Sequence, residues 1–134
     1  MLFESLKEIE KAVEVDESIS YGASYFIAVE NLKINISDID SLKDVFIRLE
    51  VDINENSVSP SEIDDRSADF TSINDIWHFK DNIAAKFMNI IREADAYYRP
   101  LDTDGYYSRG NVNDIFRIVK KGSEFVLIEF YACD

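Results

Sequence analysis

The side chains able to do chemistry are few and scattered. His78 is the only histidine. As a general base or metal ligand it would work without a second imidazole, and no serine or cysteine with a nucleophile's surroundings lies near it. It therefore reads as a structural or surface residue near the start of a helix. Asp102, Thr103, Asp104 and Gly105 share the opening of a calcium loop, but that pattern needs three spaced oxygen ligands before its glycine and a closing Glu; the spacing fails and leaves a turn. Glu62, Asp64 and Asp65 would serve as an acid–base pair or metal ligands only if two acids were held a few ångströms apart in different environments. In a Ser- and Pro-bearing loop beside Arg66 they read as a solvated acidic stretch. Cys133 is the single cysteine, so neither an internal disulfide nor a cysteine zinc site is available, and no basic neighbour lowers its pKa. No glycine-rich phosphate loop occurs. The expectation is a protein that is not an enzyme, with no cofactor and no metal.

Binding is better served. An acidic series of Glu50, Asp52, Glu55, Glu62, Asp64, Asp65 and Asp69 runs from the outer face of a strand into a long loop. A second patch holds Tyr97, Tyr98, Tyr106 and Tyr107 with Arg99 and Arg109, residue types that dominate interface hot spots. Each has a plainer reading, solubility for the acids and capping of the core for some of the tyrosines. The formal net charge is −13 over 134 residues, with a pI near 4.4. It is uneven: residues 1–75 carry 18 acidic and 6 basic side chains, residues 76–134 carry 9 and 8. Such a field attracts basic macromolecules and holds nucleic acid and anionic membranes off.

These residues need a scaffold, and one domain is the natural size. At 46% hydrophobic and 13% aromatic the chain buries enough apolar surface to offset its ordering entropy. Leu2, Leu6, Ile9 and Val13 fall on one stripe of a helix over about 2–14. Ser24 to Glu30 is aromatic and β-branched, and Leu32, Ile34 and Ile36 alternate with polar residues, so both stretches read as strand. Val45, Ile47, Leu49, Val51 and Ile53 alternate with Phe46, Arg48, Glu50 and Asp52 as a half-buried strand. Asn54 to Asp65 reads as loop and Ala68 to Thr71 as a short strand. Ser72 to Asp75 has the form of a capping box, and the apolar period of Ile76, Phe79, Ile83, Phe87, Ile90 and Ala94 predicts one long helix that ends at Arg99 and Pro100. Residues 101–113 read as loop. Asp114 to Lys120 and Glu124 to Tyr131 flank Gly122 as a β-hairpin. With no βαβ alternation, the order implies an α+β fold: an antiparallel sheet with an N-terminal helix and one long helix on one face, closed by a C-terminal hairpin. The opening residues lack a basic n-region and an apolar h-region, and no stretch reaches the roughly 18 apolar residues of a membrane span. With the cysteine usage, this predicts a cytoplasmic protein.

Small size, strong acidity, and the order strands, helix Ser72 to Tyr98, hairpin Ile115 to Tyr131 resemble bacterial immunity proteins of polymorphic-toxin and contact-dependent growth inhibition systems. The local echo is Ala68 to Trp77, a polar lead-in to an aromatic helix start, followed by the Lys120, Lys121 and Gly122 turn. The resemblance implies a cytoplasmic protein that binds a cognate toxin domain, often a basic nuclease, and blocks its active site or substrate groove. An acidic DNA mimic, or a small enzyme with its acid pair within residues 50–69 or at Asp102 and Asp104, are the alternatives.

Overall fold

The computed structural model describes residues 1–17, 24–32, 59–101 and 115–133. Helix α1, Leu2–Glu17, buries Leu2, Leu6, Ile9 and Val13, the stripe that its apolar period requires. Its first turn is closed from far along the chain. Both Glu124 carboxylate oxygens accept, one from the Leu2 amide and one from the Phe3 amide, each at 3.1 Å, which satisfies two orphan donors and places negative charge at the positive end of the helix.

Among the described residues the sheet has five antiparallel strands: β1 Ser24–Leu32, β2 Ser59–Glu62, β3 Ala96–Leu101, β4 Ile115–Lys121 and β5 Glu124–Cys133. Their order is β1-β5-β4-β3-β2, so β1 lies against the last strand, Ser24 opposite Cys133 and Leu32 opposite Phe125. Strand β5 turns back from β4 through Gly122, at φ 60°, as the first central residue of a two-residue turn between Lys121 and Glu124. Helices α2, Arg66–Trp77, and α3, Asp81–Glu93, pack with α1 on one face of the sheet. Phe70, Ile73 and Trp77 of α2 and Ile83, Phe87 and Ile91 of α3 share one core with Ile27, Tyr97, Val119, Val126, Ile128 and Phe130. Phe87 stacks on Phe70, with ring centres 4.9 Å apart. The alternate strand residues Leu32, Phe116, Ile118, Phe125 and Leu127 are buried too and stand on the opposite face. Burial on both faces is why Phe125 to Ile128 is a continuous apolar run.

The edge strand β1 does not leave its outward amide at Val29 unpaired. Glu10 of α1, itself only 9% exposed, accepts that N–H at 2.8 Å and pairs with Lys7 at 2.7 Å.

Four expectations need correction. The long helix over 76–98 is two helices and a strand. At its break the His78 amide donates to the Asn74 carbonyl, the Asn74 side chain accepts from the Phe79 amide at 2.9 Å, and His78 takes the left-handed conformation, φ 52°, that ends helices. Phe79 keeps the apolar period across this break because its ring still enters the core, beside Phe87 and Phe130. The capping box at Ser72 is not a helix start: Ser72 sits inside α2, whose N-cap is Asp65, accepting from the Ala68 amide at 3.0 Å. For the same reason Ala68 to Thr71 is helix rather than strand, while the expected loop up to Asp65 contains β2 because residues 59–62 pair with β3. The alternating run Val45 to Ile53 and most of the loop 101–113 lie outside the described residues.

Candidate functional site

Strand β2 and the connection that follows it carry the acids, and β3 carries the tyrosines. Their antiparallel register sets Glu62 opposite Tyr98, and the Ile63 amide donates to the Tyr97 carbonyl at 2.9 Å. Two patches that are separate in sequence thus meet at one end of the sheet. Glu62, Asp64, Asp65 and Arg99 are exposed and Tyr98 is half-buried. Burial raises the Tyr98 hydroxyl above its ordinary pKa, and the charge of Glu62 adds to the rise. Asp65 has a second duty as the cap of α2.

Asp69 and Tyr97 are not part of that surface. Tyr97 is completely buried and cannot anchor a partner, because a strand alternates its side chains and Tyr97 points toward the helices while Tyr98 points away. Asp69, one turn into α2, points down at the sheet. Arg117 of β4 grips it with two parallel bonds, Nε to Oδ2 at 3.0 Å and Nη2 to Oδ1 at 2.8 Å. The Tyr97 hydroxyl donates to the same Oδ2 at 2.7 Å, and Arg117 Nη1 donates to the Phe116 carbonyl at 2.8 Å. Burial pushes the Tyr97 hydroxyl well above its ordinary 10.0; the Arg117 guanidinium opposes this and the Asp69 carboxylate adds to it. The sequence carries a signal for this network that was not used: a lone arginine inside Ile115 to Val119 either faces water or needs a buried acid.

Arg66, the first residue of α2, is a second unforeseen contributor. Its guanidinium donates to the carbonyls of Ile91 at 2.9 Å, Ala94 at 2.6 Å and Asp95 at 3.3 Å. These carbonyls lie at and just beyond the C-terminal end of α3, where a cation is favoured. The acidic connection is therefore tied to the neighbouring helix as well as to the sheet.

Glu50, Asp52, Glu55, Tyr106 and Tyr107 lie outside the described residues. His78 is exposed and ends α2. A groove of about 540 Å³ runs between α1 and α3, with Ile9, Ala12 and Ile90 as apolar lining and Ser5, Glu8 and Lys86 among its polar groups. It does not join any two of Glu62, Asp64, Asp65 and Asp69. Among the described residues no group of three His, Cys, Asp or Glu is disposed to hold a metal ion, and no helix is long and apolar enough to cross a membrane. No family model matches the chain, and neither a curated protein nor a solved structure matches it significantly.

Proposed function

We propose that this protein works by binding a basic macromolecule, as an immunity protein that neutralises a toxin domain does, with a nuclease as the favoured target. The observation that carries this reading is the exposed run of Glu62, Asp64 and Asp65 on β2 and the connection after it, with Glu62 set opposite the half-buried Tyr98. Neither Glu62 nor Asp64 has a side-chain hydrogen bond or ion pair among the described residues, so their charges are free to act outward. Enzymes of nucleic acid present cationic clefts, and an acidic surface speeds encounter with them while rejecting acidic partners. Tyr98 adds an aromatic contact of low conformational cost at the same place.

The test is co-expression with the neighbouring reading frame, followed by growth and nuclease assays. Co-purification of a basic toxin domain that loses its activity supports the proposal. Capture of a nucleic-acid-binding regulator instead supports the acidic-mimic alternative. The surface is tested with Glu62→Lys and Asp64→Lys: association should slow by about tenfold at low salt and much less at high salt. Unchanged kinetics would remove this face from the interface. Asp65 is better replaced by Asn, which removes its charge and still caps α2; Lys would also cost the cap, about 1 kcal/mol.

A further inference from the structure

We propose that the buried Asp69–Arg117–Tyr97 cluster is a latch that holds the β2–α2 connection in a single conformation. Strand β2 is poorly equipped to hold itself. Among the described residues it spans four and stands at the edge of the sheet, and its Pro60 lies opposite Pro100, so neither member of that pair has an amide to donate. Short segments with few hydrogen bonds open locally, well below the free energy of global unfolding.

The latch reaches this segment at both ends through Tyr97. The Tyr97 carbonyl accepts from the Ile63 amide at 2.9 Å, fixing the chain between Glu62 and Asp64. Its hydroxyl bonds Asp69 at 2.7 Å, and the Asp69 amide donates to the Asp65 carbonyl at 3.1 Å, fixing the chain where α2 begins. Arg117 immobilises the assembly, because its two-pronged grip allows Asp69 one orientation and its third nitrogen is bonded to the backbone of its own strand.

Stability alone does not call for such a cluster. Apolar side chains of similar volume in place of a buried ion pair often leave a fold equally stable or more stable, whereas the directed bonds of the polar version select one geometry.

The experiment is site-resolved amide exchange on the full chain carrying Asp69→Leu, Arg117→Met and Tyr97→Phe together, with Tyr97→Phe alone as the milder variant if the triple variant does not fold. The latch predicts a melting temperature equal to or above that of the wild type in the triple variant. It also predicts exchange at Ile63 and Ala68 faster by about tenfold or more, with Val29 and the β1–β5 amides unchanged. For Tyr97→Phe alone the same local pattern is expected at smaller amplitude. Exchange at Ile63 and Ala68 that stays at the wild-type rate, or that rises only in step with every other amide, overturns the proposal.

Discussion

Tyr97 and Tyr98 are neighbours with opposite fates, and the two-residue period of a strand decides them. Tyr97 is sealed beneath α2 with its hydroxyl on Asp69; Tyr98 stands across the sheet beside Glu62. The buried hydroxyl carries a pH consequence. Its pKa lies at about the ordinary 10.0 in the unfolded chain and well above that in the fold. Its contribution to stability is therefore complete below the unfolded value and is lost as pH rises toward the folded one, because the unfolded chain releases a proton that the fold retains. Between about pH 9 and pH 11 the melting temperature of the wild type should fall more steeply than that of Tyr97→Phe. Parallel curves would show that Tyr97 does not govern the alkaline limit. Sequence could supply Tyr97 and Tyr98 as candidates but not their separation. That required knowing that α3 stops at Glu93 and that residues 96–101 form a strand, since on a helix the two side chains would have diverged differently.

At the scale of elements, local pattern was informative wherever a single period ran uninterrupted. Leu2, Leu6, Ile9 and Val13 announce α1, and the hairpin of β4 and β5 follows from its apolar runs and Gly122. The break between α2 and α3 was hidden because Phe79 sustains the helical period in a non-helical connection, its ring being drawn into the core with Phe70 and Phe87. The helix-ending signal is in the Asn74 side chain and in His78, a residue with a Cβ in a conformation that favours glycine. His78→Gly should raise stability by about 0.5–1 kcal/mol, since His78 is exposed and gives up no core packing. Chemical denaturation would measure it; a loss of stability would mean that the imidazole contributes contacts larger than the strain it imposes. The start of α2 was missed for a related reason. Asp65 caps it as well as a serine does, and the Ser72 pattern satisfied the same rule without the tertiary contacts, Arg66 on α3 and Asp69 on β4, that fix the true beginning.

For the molecule as a whole, the order of elements predicted the class of fold and composition the sign of its field, and topology explains why an α+β sheet can be so acidic. Apolar strands buried on both faces supply the core, and among the described residues most acids stand on helix surfaces and connections, with a few in anchoring roles such as Glu10 and Glu124. The remaining negative charges repel one another, so salt should stabilise the fold. The melting temperature at pH 7 is expected to be several degrees higher in about 0.5 M than in about 0.01 M sodium chloride, where the screening length shrinks from roughly 30 Å to a few ångströms. A flat or falling response would mean that favourable pairs such as Asp69 with Arg117 outweigh the net repulsion.

The closing of α1 by Glu124, a residue 122 positions further on, together with the pairing of β1 to β5, sets the order in which a ribosome can deliver this fold. Until residues 124–133 have been made, the first turn of α1 lacks its Glu124 cap and β1 lacks its β5 partner. The pairings of β5 with β1 and β4 can form only once residues 124–133 exist, and the one with β1 is a contact of long sequence separation that forms slowly. Removing β5 should therefore cost α1 its Glu124 cap and β1 its partner strand.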